Sequence, residues 1–232
     1  MIGIIFVLHG RKNKISTANL AVIEEVGKKL KYPYEIGLLE GEFQTFEDAV
    51  HSLLNLSVTK IVFLPVLLFP ATHANEDIPD RAKKLLEGKL PYQILSTLGT
   101  TKAVERFIVE QIHSIEDTNA EVLLIAHGTS HYSEPSQQLE QIAQRVEQRV
   151  RRKVYSAGYY GEYSYQQILK EHKSSMIIQR LFLTEGYLAK KIKNELIEQR
   201  GTTDIFLPTM QNSAALVAAI SERIEEIQCI QS

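Results

Sequence analysis

FVLHG (Phe6–Gly10) and LIAHG (Leu124–Gly128) are one pattern occurring twice, half a chain apart. Each is an apolar run closed by His-Gly. An uninterrupted apolar run reads as a strand covered on both faces, as in a parallel sheet. The glycine then lets the chain turn sharply at the strand's end. Working outward from either copy gives the same order of elements.

Around the first copy, strands are predicted over Ile2 to Leu8, Tyr34 to Leu39, Lys60 to Leu68 and Tyr92 to Leu98. Helices are predicted between them: from a Ser16 cap through Leu20, Ile23, Val26, Gly27 and Leu30, from a Thr45 cap through Ala49, Val50, Leu53 and Leu54, over Glu76 to Glu87, and over Lys102 to His113. Around the second copy the strands are Glu121 to Ala126, Val154 to Tyr159, Met176 to Leu183 and Asp204 to Leu207. The helices are Pro135 to Arg151, Tyr165 to Glu171, Leu188 to Gln199 with Gly201 as its stop, and Ser213 to Ile227.

Strands alternating with helices imply parallel pairing with helices on both faces. The repeat implies an α/β fold of two similar doubly wound lobes, each a four-stranded parallel sheet flanked by helices. The polar stretch Glu116 to Asn119 sets the expected boundary, giving lobes 1–117 and 118–232. Eight β-α units also match a closed (β/α)8 barrel, which stays as the structural alternative.

Composition narrows the function. The chain has 232 residues, 44% of them hydrophobic and 23% charged, with a formal net charge of −2. No global basic field attracts nucleic acid. One cysteine, Cys229, excludes an internal disulfide and a cysteine-based zinc knuckle. No segment reaches the roughly 20 apolar residues that span a bilayer, and the first residues lack a leader's pattern. A cytoplasmic protein without nucleic-acid or membrane partners is expected. Neither G-x-G-x-x-G nor a Walker A sequence is present, so no nucleotide cofactor is implied.

The chemistry concentrates at strand ends. His9 closes the first strand, and His73 follows the third in FLPVLLFPATHANEDIP (Phe63–Pro79). Ligands of open α/β sheets bind beyond the C-terminal strand ends at the switch in strand order, where strands one and three are neighbours. Two imidazoles there would serve as base and as ligands of an open, exchangeable divalent-metal site. Glu40 and Glu42, ending the second strand on the same edge, could complete a metal site or accept a proton. Arg11, Lys12 and Lys14 could hold ligand carboxylates. In the second half His127 repeats His9, and Tyr187 stands where His73 would be. Glu185 could still offer a carboxylate there, and His127 with His131 is a weaker candidate metal pair. Tyr159, Tyr160 and Tyr163 read as packed loop aromatics or as a wet-edged cleft lining. Arg145, Arg149, Arg151 and Arg152 read as a solvated helix end.

Leu8-His9-Gly10, the apolar strand Ile61 to Phe69, and His73-Ala-Asn-Glu-Asp-Ile-Pro79 resemble the sirohydrochlorin chelatases, class II tetrapyrrole chelatases. The second LIAHG and the β-α order resemble their long, two-lobe form. The resemblance spans the chain. It departs at Arg11, where the family usually has serine, and at Pro70-Ala71-Thr72, where its loop is usually glycine-rich. It implies insertion of a divalent metal into sirohydrochlorin in sirohaem biosynthesis, with Fe2+ first and Co2+ second, the latter as in cobalamin biosynthesis. It implies His9 and His73 as catalytic residues and metal ligands, and no cofactor beyond the substrate metal. Substrate contacts are expected from Arg11, Glu40, Glu42, Phe69, Pro70, Ala71 and Thr72. A monomer is expected. A non-catalytic metal carrier and a two-lobed small-molecule binder are the rival readings.

Overall fold

The structure is a computed structural model that describes residues 1–10, 17–115, 119–211 and 213–229. The expected Ser16 cap, Arg11, Lys12, Lys14 and the 117/118 boundary lie outside the described residues. Eight strands are present: β1 (Ile2–Leu8), β2 (Tyr34–Leu38), β3 (Lys60–Pro65), β4 (Tyr92–Ile94), β5 (Glu121–Gly128), β6 (Val154–Tyr160), β7 (Met176–Arg180) and β8 (Ile205–Leu207). The helices are α1 (Thr17–Gly27), α2 (Phe46–Asn55), α3 (Ile78–Leu86), α4 (Lys102–His113), α5 (Glu134–Val150), α6 (Tyr165–Glu171), α7 (Tyr187–Arg200) and α8 (Ala214–Cys229).

The strands form two sheets, ordered β2-β1-β3-β4 and β6-β5-β7-β8, and every pairing is parallel. The barrel alternative is therefore excluded: two open sheets of four replace one closed sheet of eight. In each, the strand carrying His-Gly is central, with the second strand on one side and the third on the other. This is the expected switch in strand order.

Central strands are buried on both faces, which explains their continuous apolar sequence. All seven residues of β1 are buried, as are Ile61 to Pro65 of β3. In the first sheet Ile5, Val7, Ile61 and Phe63 pack with Phe46, Val50 and Leu53 of α2 and Ile78, Ala82 and Leu86 of α3. Phe46 and Phe63 stack with centroids 4.9 Å apart. Each such side chain contributes about 1.5–3 kcal/mol on full burial. In the second sheet Leu123, Ile125 and Ile178 pack with Tyr165, Leu169, Ile192 and Leu196.

Local signals act as expected at α2. The Thr45 hydroxyl accepts from the Asp48 N–H at 3.1 Å, and the Asp48 carboxylate accepts from the Thr45 N–H at 3.0 Å. That reciprocal capping box satisfies two donors at the helix start. Several expectations change. The third strand stops at Pro65 rather than Leu68, and the seventh at Arg180 rather than Leu183. The fourth strand stops at Ile94 rather than Leu98, and a 3-10 turn (Leu98–Thr100) follows. The helix expected over Glu76 to Glu87 begins earlier, in a π-helical turn (His73–Asp77) that runs into α3.

Met1–Leu98 with Val217–Ser232 make one compact unit, and Gly99–Leu216 make the other. These differ from lobes cut at 117 because the last helix of each repeat is exchanged: α4 falls in the second unit and most of α8 in the first. The contacts give the reason. Glu105 of α4 is buried and accepts from Arg145 (2.7 Å) and Arg149 (3.1 Å) of α5. Arg223 of α8 is buried and donates twice to the Thr97 carbonyl, at 3.1 and 2.5 Å. Arg145 and Arg149 are thus more than a solvated helix end. No described helix is long and apolar enough to cross a membrane.

Candidate metal and catalytic centre

The end of β1 is built to bring three separate segments together. Gly10 follows His9 with φ of +75°, a left-handed conformation that L side chains rarely adopt. A Cβ on Gly10 would meet the Glu40 carbonyl oxygen at 2.2 Å. The Glu40 N–H donates to the His9 carbonyl at 2.9 Å. Glycine is therefore required twice over, and the result is that β2 delivers Glu40 beside His9.

The third segment leaves β3. The Val66 N–H donates to the Val7 carbonyl at 2.8 Å, carrying the β1 pairing one residue beyond the strand. Pro70 is buried, Phe69 and Ala71 are half-buried and Thr72 is exposed. The Asn75 N–H donates to the Ala71 carbonyl, and the Ile78 N–H to the His73 carbonyl, closing the wide π turn. Single π turns frequently mark functional sites.

His9 and His73 meet edge to face, with ring centroids 4.3 Å apart and planes at 86°. His9, Glu40 and His73 each offer one ligand atom, and these atoms all lie within 4.8 Å of one another. No other group of three His, Cys, Asp or Glu side chains converges in this way among the described residues. The His9 and Glu40 side chains are 47% and 50% exposed, and His73 is 28% exposed, so the cluster is open to an incoming ion and a larger ligand. Two imidazoles and one carboxylate leave coordination positions free, as an exchangeable transition-metal site requires.

Neighbouring contacts order the cluster. Nδ1 of His9 donates to the Gly10 carbonyl at 2.6 Å and lies 3.8 Å from a Glu40 oxygen. Nδ1 of His73 contacts an Asp77 oxygen at 2.6 Å. Arg81, one turn further along α3, ion-pairs with Glu47 of α2, donates to the Leu39 carbonyl at 2.9 Å and lies over the Phe46 ring. It thereby clamps the residue before Glu40. That guanidinium holds the Glu47 carboxyl below the usual carboxylate range.

Of the residues expected at the site, the structure brings together His9, Glu40 and His73. Glu42 is exposed in the turn after Glu40 and stands outside the cluster. Phe69, Pro70, Ala71 and Thr72 form the segment that leads into His73. Asp77 and Arg81 were missed. The His-x-x-x-Asp spacing was a readable signal for the first, since residues four apart share a helix face. Arg81 had none, because its partners come from distant segments.

The second unit repeats the frame with different chemistry. His127 Nδ1 donates to the Gly128 carbonyl at 2.8 Å, and Gly128 has φ of +71°. Its Cβ would meet the Tyr160 carbonyl oxygen at 2.0 Å, so Tyr160 occupies the place of Glu40. Tyr187 opens α7, and buried Ile192 and Leu196 follow it at the spacings of Ile78 and Ala82 after His73. Tyrosines thus replace both partners of the histidine. Glu185 does not supply the missing carboxylate, because it is paired with buried Arg180. His131 does not join a three-ligand cluster with His127. Tyr159 and Tyr160 contact edge to face, and Tyr159 and Tyr165 donate to Glu195, so part of the aromatic cluster is packed loop and helix.

Two parallel α/β units, one bearing an open His-Glu-His cluster at its strand-order switch, define a chelatase-like protein. The CbiX family model matches residues 3–115 and again 121–227, and the chain belongs to that family. Sirohydrochlorin ferrochelatase of Priestia megaterium is 29% identical over 218 residues, covering 87% of this chain and 80% of that protein. SirB from Bacillus subtilis with Fe3+ superposes with a TM-score of 0.86 at 21% identity, covering 97% of this chain and 94% of the other. The sirohydrochlorin chelatase SirB of Bacillus subtilis subspecies spizizenii, in complex with cobalt, gives 0.81 at 21% identity over the same shares. These two structures share the fold.

Proposed function

We propose that the protein is a sirohydrochlorin chelatase that inserts a divalent metal, Fe2+ first and Co2+ second, into the tetrapyrrole of sirohaem biosynthesis. The observation that carries this reading is the convergence of His9, Glu40 and His73 on one open point. Membership of the CbiX family and the Priestia megaterium relative support the choice of substrate.

Insertion exchanges two pyrrole N–H protons for one M2+ ion. The protein must hold the ion loosely and accept protons near neutral pH, and imidazole does both. His9 and His73 supply ligands through a ring nitrogen each, and as the ion passes to the macrocycle those freed nitrogens take up the two released protons. Glu40 adds negative charge, which favours the incoming dication and balances it while protons leave. The site is half exposed, so protons pass on to water. No redox chemistry is needed. The metal is a substrate, and imidazole with carboxylate does not choose sharply among first-row ions. The first unit carries this site, and the second, with His127, Tyr160 and Tyr187, is a degenerate copy. We place the protein in the cytoplasm as a monomer that binds neither nucleic acid nor membrane.

The test is an anaerobic absorbance time course with sirohydrochlorin and either Fe2+ or Co2+, beside enzyme-free controls. Acceleration that is lost in His9→Ala and His73→Ala supports the reading. Folded protein that does not accelerate insertion with either ion refutes it and leaves a metal carrier or ligand-binding protein.

A further inference from the structure

We propose that Asp77 is a positioning residue that fixes the tautomer of His73, so that both imidazoles of the cluster present a bare Nε2 to one metal ion. The inference deepens the chelatase reading and rests on it for the identity of the reaction.

A neutral imidazole carries its proton on one nitrogen only, and the hydrogen bond made by one nitrogen decides what the other offers. Nδ1 of His9 lies 2.6 Å from the Gly10 carbonyl oxygen. A carbonyl only accepts, so Nδ1 holds the proton and Nε2 keeps its lone pair. Nδ1 of His73 lies 2.6 Å from the Asp77 carboxylate, which likewise accepts. His73 is therefore held in the same tautomer as His9. The rings sit edge to face at 4.3 Å, and each has committed its Nδ1 to a protein acceptor. Both are left with Nε2 as the ligand atom.

A second observation concerns the helix around Asp77. The π turn (His73–Asp77) runs directly into α3, so Asp77 lies inside a continuous helical run whose next N–H, that of Ile78, already donates to the His73 carbonyl. The Asp77 side chain makes no capping bond there. The preceding π turn keeps Asp77 in right-handed helical geometry, with φ of −60° and ψ of −47°, and its carboxylate turns back to His73. A carboxylate bonded to the far nitrogen of a ligand imidazole is the outer-shell arrangement that orients metal-binding histidines. The helical turn at the mouth of β3 places these two residues, four apart, side by side.

The test compares wild type with Asp77→Ala and Asp77→Glu by three readouts: 15N NMR of the histidine rings in metal-free protein, Co2+ titration, and chelatase kinetics. In wild type, His9 and His73 should both show a protonated Nδ1. Asp77→Ala should shift His73 alone toward the Nε2-protonated form. Loss of an outer-shell partner should weaken Co2+ binding roughly 10–100-fold and lower kcat by a similar factor, with the KM for sirohydrochlorin little changed. Asp77→Glu, which keeps a carboxylate, should restore part of the tautomer and the affinity. If Asp77→Ala fails to fold, Asp77→Ser serves instead, because serine keeps a polar side chain at this half-buried position but is too short to reach the ring. A folded variant with the wild-type His73 tautomer and Co2+ affinity overturns the proposal. Failure of the chelatase reading itself would appear in the wild-type kinetic arm, while the NMR and Co2+ arms still judge Asp77.

Discussion

Glu40 is bound to His9 through the backbone before their side chains meet: its N–H donates to the His9 carbonyl at 2.9 Å, and its carboxylate lies 3.8 Å from the His9 ring. The left-handed Gly10 between strand and turn makes this approach possible. Gly10→Ala should cost roughly 1–3 kcal/mol of stability through a forced left-handed residue. It should also displace Glu40 and abolish most metal binding. Gly128→Ala meets the same steric conflict in the second unit, so it should lower the melting temperature while leaving Co2+ affinity near wild type. A thermal melt and a Co2+ titration on both variants check the contrast.

Glu40 completes the ligand set, so Glu40→Gln should weaken Co2+ binding by at least about tenfold while the fold persists. Removing an anionic ligand loses attraction to a dication and leaves two imidazoles, too few for a firm site. Glu42→Gln, two residues on, should change affinity little. Isothermal titration of both variants would separate them.

The Arg81–Glu47 pair should make stability fall in acid. The hydrogen bond from Arg81 depresses the folded carboxyl relative to its usual value of 4.5. A depressed carboxyl stabilises the fold above the unfolded value, and that contribution is lost as pH falls through the folded value. Urea midpoints measured downward from pH 6 should therefore decline below about 4.5, and Glu47→Gln should flatten part of that decline. The Glu47 side chain is 41% exposed, so solvent screens the effect and its size is modest.

Glu105 tests the exchanged helix. Its side chain is 10% exposed and faces Arg145 and Arg149. Glu105→Ala removes the buried carboxylate that both half-exposed arginines bond, leaves a small gap beneath them, and should cost roughly 1 kcal/mol, since water can solvate the two guanidinium groups. Chelatase activity measured well below the melting temperature should be unaffected, because Glu105 lies outside the unit that carries the histidines. Loss of activity without loss of stability would contradict this assignment.

Much of the architecture was readable because local patterns carried it. Ile2 to Leu8 is apolar throughout, and its burial on both faces is the physical cause. Thr45 and Asp48 announce α2 by a bond that spans three residues. The fourth strand was overextended at Leu95 to Leu98 because an apolar segment can be buried as a turn as well as a strand. The π turn at His73 leaves no compositional mark, since it differs from an α turn by a single residue of hydrogen-bond register.

By itself the sequence determined the parallel α/β repeat, the two histidines at strand ends and the loss of one imidazole in the second half. These follow from hydrophobic periodicity and from the repetition of His-Gly, which are properties of short segments. Tertiary structure alone decided that Glu40 joins the histidines while Glu42 does not. It also decided that α4 and α8 leave their own repeats. Each of those outcomes depends on which distant segments meet, through backbone bonds such as Glu40 to His9 and side-chain pairs such as Glu105 with Arg145. Such meetings are fixed by the packing of whole elements, which no short stretch of sequence contains.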